Sequence, residues 1–89
     1  MLRRSVRIVN KLGLHARASA KLTQTTARFA SAVWISKGER RVNAKSIMGV
    51  MMLAAGKGST VVVETDGADE ATAMDAIEQL FAERFGEPE

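Results

Sequence analysis

Three helix-forming stretches alternate along this chain with four short β-rich runs, and each helical stretch is apolar along one side only. A helix of that kind must lay its apolar stripe on another element, and one face of a sheet is the economical partner. Ser5 to Asn10 reads as the first strand, with Val6 and Ile8 on one face. Lys11 to His15 turns into a helix from Ala16 to Ala30, which has no internal glycine or proline. Ala20, Thr23, Ala27 and Ala30 mark its inner face, flanked by Leu22 and Phe29. Ala32 to Ser36 alternates, with Val33 and Ile35 on one side and Trp34 on the other. Lys37 to Arg40 forms a hairpin turn into the strand Arg41 to Ala44. Ser46 precedes a short helix from Ile47 to Leu53, which Gly56-Lys57-Gly58 breaks off.

Thr60 to Thr65, with three consecutive valines, has the composition of a central strand. Asp66-Gly67 turns, and Asp69 and Glu70 open the last helix with acids that suit its dipole. Ala73, Met74, Ile77, Leu80, Phe81 and Phe85 form its buried stripe, and Gly86 and Pro88 end it. The predicted order is βαββαβα in an α+β fold. A mostly antiparallel four-stranded sheet carries three helices on one face and leaves Trp34 on the wet one. At 89 residues the chain forms one domain over 1–89, and folding buries roughly 60% of its extended surface.

Composition removes several classes of chemistry. With no cysteine there is no disulfide framework, thiol nucleophile or thiolate zinc site, and one histidine is too few for an imidazole metal cluster. No cofactor or metal is expected. The basic start lacks the apolar stretch of a secretory signal, and the longest apolar run, Val50 to Ala55, is far short of a membrane span. The expectation is a cytoplasmic protein with no membrane partner. Charge is divided sharply. Residues 1–62 hold twelve Lys/Arg against Glu39 alone, a balance of +11, whereas residues 63–89 hold nine acids and Arg84, a balance of −8. Either the fold keeps these apart and one face attracts anions, or the halves neutralise each other across the domain.

His15 stands directly before a helix, with Arg17 two residues on. Free N–H groups and the helix dipole at such a place stabilise an anion, and a neutral imidazole is a nucleophile. A phosphoryl group on His15 would rest against the N–H groups of Ala16 and Arg17, with the Arg17 guanidinium pairing its oxygens. The plain alternative is an ordinary N-cap or surface histidine. Ser46 is likewise either a simple N-cap or a phosphorylation site at a helix start. Ile47, Met48, Val50, Met51, Met52 and Leu53 are too many apolar residues for one side of two turns, so they fill the core or form an adaptable docking patch. Gly56-Lys57-Gly58-Ser59-Thr60 lacks the spacing of a phosphate-binding loop, there is no GxGxxG, and no paired acids suggest acid–base catalysis.

Taken together, these segments resemble HPr, the histidine-containing phosphocarrier family of the bacterial phosphoenolpyruvate-dependent phosphotransferase system. Gly13-Leu14-His15-Ala16-Arg17 resembles the family's active-site segment, and Asn43-Ala44-Lys45-Ser46-Ile47-Met48-Gly49-Val50-Met51 its regulatory serine segment. The resemblance spans nearly the whole chain. It implies an open-faced β-sandwich and a monomeric carrier that is not itself an enzyme. His15 would be phosphorylated on Nδ1 by Enzyme I, with phosphoenolpyruvate as donor, and would pass the group to a IIA domain while Arg17 stabilises the phosphate. Ser46 would be the target of an HPr kinase/phosphorylase, and Ile47, Met48 and Met51 would belong to the docking surface. Position 18 is alanine where the family usually has proline, which leaves the helix start less rigid. A nitrogen-related or signalling branch of the same system is the close variant. Two other classes stay open: a purely regulatory protein acting through phospho-Ser46, and a small nucleic-acid-binding domain. Four aromatics and no basic-aromatic motif argue against the last, so no nucleic-acid partner is expected.

Overall fold

The computed structural model describes all 89 residues. In chain order it contains strand β1 (Leu2–Arg7), helix α1 (Ala16–Thr26), strands β2 (Ala32–Lys37) and β3 (Arg40–Asn43), helix α2 (Ile47–Met52), strand β4 (Thr60–Asp66) and helix α3 (Glu70–Ala82). A 3-10 turn over Arg84–Gly86 follows. The strands form one antiparallel sheet in the order β1-β4-β2-β3, which places the valine-rich β4 inside.

Alternation along the strands decides which face is covered. Val33 and Ile35 of β2 and Val61, Val63 and Thr65 of β4 are buried. Ala18 and Leu22 of α1, Val50 of α2, and Met74, Ile77 and Phe81 of α3 join the strand residues in one core of 16 side chains. All three helices thus lie on one side, the open-faced β-sandwich expected from the sequence. On the bare face the half-buried Trp34 lies under the Arg41 guanidinium, 4.2 Å from its ring centroid, and Arg41 Nε meets Glu64 Oε1 at 3.1 Å. The aromatic surface is thereby capped by a paired charge.

Several boundaries differ from the sequence reading, each for a local reason. The first strand is Leu2–Arg7, not Ser5 to Asn10. Its exposed Arg3, Ser5 and Arg7 alternate with half-buried Leu2 and Val6, as suits a charged edge strand. Beyond Arg7 the pairing dwindles to two bonds, Ile8 N–H to the Ser59 carbonyl at 2.9 Å and Gly58 N–H to the Ile8 carbonyl at 2.8 Å. Helix α1 stops at Thr26 rather than Ala30, because the chain tightens there into i→i+3 turns, Arg28 N–H to Thr25 and Phe29 N–H to Thr26. Its buried stripe is Ala18, Ser19, Leu22 and Thr26 rather than Ala20, Thr23, Ala27 and Ala30. The two hydroxyls can go inside because both are satisfied, Ser19 Oγ by the Leu14 carbonyl (3.1 Å) and Thr26 Oγ1 by the Ala44 carbonyl (2.8 Å).

The last helix ends at Ala82, so Phe85 reaches the core from the 3-10 turn and not from the helical stripe. Arg84 and Phe85 both adopt left-handed backbone, φ +56° and +57°. That conformation costs about 1–2 kcal/mol per residue. Burial of Phe85, packed edge-on to Phe81 with centroids 4.9 Å apart, offsets it. Asp69 stands at the start of α3, but its carboxylate is spent on another segment. It accepts Ala30 N–H and Ser31 N–H, both at 2.9 Å, and the Ser31 hydroxyl. The Ser31 hydroxyl bond and then the Ala30 amide hold this carboxyl below its ordinary range, outweighing desolvation.

At the far end of the sheet, the loop from Val9 to His15 is fixed by a close approach. Leu14 is buried and its N–H donates to the Ala55 carbonyl at 2.9 Å. Gly13 has φ +64°, and a Cβ there would lie 2.4 Å from the Ala55 oxygen and 2.7 Å from Gly56 Cα.

Two outcomes follow from these contacts. Gly13→Ala is expected to lower stability by more than about 1–2 kcal/mol, the left-handed backbone cost alone, because backbone atoms must also move. Urea unfolding checks this. For Asp69, a lowered folded pKa means stability that is present above the ordinary carboxylate range and lost as pH falls through the folded value. Asp69→Asn should therefore unfold at lower urea than wild type at pH 7, and the two midpoints should converge in acid. A gap that persists at low pH would show that the charge is not the cause.

Candidate functional site

Because Leu14 is tied to Ala55, the next residue is delivered to the mouth of α1. His15 is the N-cap, with φ −75° and ψ −177°, and its carbonyl accepts Ser19 N–H at 2.8 Å. The ring makes no capping bond to the helix. The first-turn amides at Ala16 and Arg17 are therefore left for another acceptor, at the positive end of the dipole. The His15 side chain is 27% exposed, so it is held in place yet open to a visiting molecule.

What holds it comes from the other end of the chain. His15 Nε2 is hydrogen-bonded to Glu87 Oε2, across 72 residues of sequence. The other oxygen of that carboxylate, Oε1, accepts Asn10 Nδ2 at 2.9 Å. Asn10 is fully buried, and the same Nδ2 also donates to the Gly13 carbonyl at 2.8 Å. Both neighbours of Nδ2 are acceptors, which fixes the orientation of the amide and leaves its Oδ1 unpartnered. Burial raises the Glu87 carboxyl pKa. The hydrogen bonds from Asn10 and His15, and the nearby charges of His15 and Arg17, outweigh that and hold it below its ordinary value. Arg17 is exposed and lines a recess beside the ring with Lys11, Leu12, Glu87, Pro88 and Glu89.

The second group of candidates lies on α2. Ser46 is exposed and caps this helix, its Oγ accepting Gly49 N–H at 3.1 Å. Of the apolar residues that follow, Val50 and Leu53 are in the core, whereas Ile47, Met48, Met51 and Met52 are exposed. Cations secure the far end of the helix. Arg40 Nη1 donates to the Met52 carbonyl at 2.6 Å and Lys37 Nζ to the Ala54 carbonyl at 3.4 Å. An apolar patch results with basic groups at its edge. Helices α1 and α2 pack against each other, so the His15 and Ser46 groups occupy neighbouring elements of one layer.

Both alternatives for the divided charge hold in part. Acids of the C-terminal third return to the basic region at Arg4–Glu78, Arg41–Glu64 and Lys11–Glu89. Arg17, Lys37, Arg40, Lys45 and Lys57 make no such pair and remain on the surface. Sequence reasoning placed His15, Ala16 and Arg17 together but missed Glu87 and Asn10. The only local sign of Glu87 is an acid outside the last helix, between Gly86 and Pro88.

Comparison with known proteins bears on the whole chain. Residues 2–83 match the family model for the PTS HPr component phosphorylation site. The phosphocarrier protein HPr of Cupriavidus necator is 66% identical over 89 residues, covering all of both chains. Among solved structures, HPr-C-His from Thermoanaerobacter tengcongensis superposes with a TM-score of 0.96 at 42% identity and full coverage of both chains. An HPr dimer from the same organism reaches 0.79 at 42% identity, covering 98% of this chain and 100% of the other. This chain belongs to the HPr family, the phosphocarrier proteins of the phosphotransferase system.

Proposed function

We propose that His15 is the residue that carries the phosphoryl group, received from Enzyme I with phosphoenolpyruvate as the original donor and passed on to a IIA domain. The observation that supports this most directly is an accessible imidazole at a helix mouth whose amides its own side chain leaves unbonded. In the transfer a ring nitrogen attacks phosphorus, and the bond to the donor breaks with its electron pair leaving on the donor. The amides of Ala16 and Arg17 and the Arg17 guanidinium then face the new phosphoryl oxygens, where charge-assisted hydrogen bonds are strongest. Catalytic groups beyond these come from the partners, so this protein is a carrier and not an enzyme. It acts as a monomer in the cytoplasm, and light scattering checks that against the dimeric arrangement described for the T. tengcongensis protein.

Ser46 is, in the same reading, the target of an HPr kinase/phosphorylase. A phosphate dianion beside Ile47, Met48 and Met51 would burden their burial against a partner with a desolvation penalty, and so weaken exchange through His15. The apolar patch with its basic edge suits partners that offer apolar and acidic groups. Whether the carrier serves sugar import or a nitrogen-related or signalling branch is decided by which IIA domain accepts from it.

Incubation with Enzyme I and phosphoenolpyruvate is expected to give one acid-labile phosphate per chain, absent in His15→Ala. Arg17→Ala should slow the transfer about tenfold or more, as loss of a charge-assisted bond implies. Stoichiometric transfer to His15→Ala would overturn the reading. With the kinase and ATP, acid-stable phosphate should appear in wild type and His15→Ala and vanish in Ser46→Ala.

A further inference from the structure

The Nε2 side of the ring has a partner of its own, which phosphoryl transfer as described above does not use. Glu87 comes to it from the tail beyond α3, and its second oxygen is gripped by Asn10, which is buried and tied in turn to the Gly13 carbonyl. The buried Asn10 Oδ1 remains unpartnered, so the amide is turned to serve Glu87 and Gly13 at the expense of its own oxygen. A carboxylate anchored from behind and bonded to one imidazole nitrogen is the arrangement by which proteins fix the tautomer and heading of a reactive histidine.

We propose that Glu87 is a positioning residue of the phosphoryl-accepting site: held by Asn10, it keeps a proton on His15 Nε2 and presents the lone pair of Nδ1 to the incoming phosphorus. This rests on the reading of His15 as the carrier. The Nδ1 pair forms the N–P bond while the donor's bond to phosphorus breaks and its electron pair departs with the donor. The Nε2 proton stays where it is. The ring becomes positively charged, and the Glu87 carboxylate lies against that charge. Onward transfer reverses these steps, with the ring taking back the N–P pair, so no proton need enter or leave. Asn10 is neutral, and the charged groups around the pair are Arg17, Lys11 and Glu89. Lys11 and Glu89 are engaged with each other at 3.4 Å, which leaves Glu87 as the acid on the ring.

The test compares wild type, Glu87→Gln and Asp75→Asn by ring 15N NMR of the unphosphorylated protein and by steady-state phosphorylation from Enzyme I. In wild type with the ring neutral, Nε2 should carry the proton and Nδ1 should show the shift of a bare acceptor. Glu87→Gln, which can both donate and accept, should give a mixture of tautomers. It should also lower kcat about tenfold while KM for the carrier stays within about twofold, because a charged bond is exchanged for a neutral one. Asp75→Asn removes an acid from the exposed side of α3, away from the ring, and should change neither readout. Ring signals in Glu87→Gln identical to wild type, or the same changes in Asp75→Asn, would overturn the proposal. If wild type takes no phosphate on His15, the carrier reading fails, and the ring spectra still decide whether Glu87 sets the tautomer.

Discussion

The geometry around His15 depends on how closely the loop after β1 is pressed against Ala55 and Gly56. Only a residue without a Cβ fits at Gly13, and the bond from Leu14 N–H to the Ala55 carbonyl then locks the next residue at the start of α1. A helix mouth is generic, and so is a histidine on a loop. Their coincidence here follows from a backbone contact between two segments some forty residues apart in sequence. The sheet beneath supplies the rigidity, with Val61 and Val63 on its interior strand sharing one core with side chains from all three helices.

Much of this architecture was readable from the chain, for reasons that can be named. The valines of β4, the Val33–Ile35 alternation in β2 and the stripe Met74, Ile77 and Phe81 in α3 each carry their period in side chains that bury without partners. Reading failed where burial depended on a hydrogen bond made elsewhere. Ser19 and Thr26 look like surface residues until the Leu14 and Ala44 carbonyls are in place. Asp69 reads as a helix-opening acid, yet its carboxylate serves Ala30 and Ser31. The candidate site divides the same way. His15, Ala16 and Arg17 are contiguous and therefore legible, whereas Glu87 and Asn10 reach the ring only through the closed fold. No periodicity encodes a contact across 72 residues.

Electrostatics and packing also divide the surface between tasks. The tail's acids are drawn onto the loop that precedes α1, through Lys11 with Glu89 and His15 with Glu87. Helix α2 carries no acid, and the cations Lys37 and Arg40 hold its C-terminal carbonyls. The helical layer therefore offers a mixed-charge recess beside the imidazole and an apolar, basic-edged surface on the adjoining helix. The bare sheet face has another character, with its one indole stacked under Arg41.

The return of the tail to residues 10–15 also divides the molecule by what each part needs. Trp34 sits in a ladder made by β2, β3 and β4, whereas Glu87 meets the ring only because α3 and the turn after it carry the tail back across 72 residues of sequence. A local opening of the tail would leave those strand pairings intact and free the histidine to swivel.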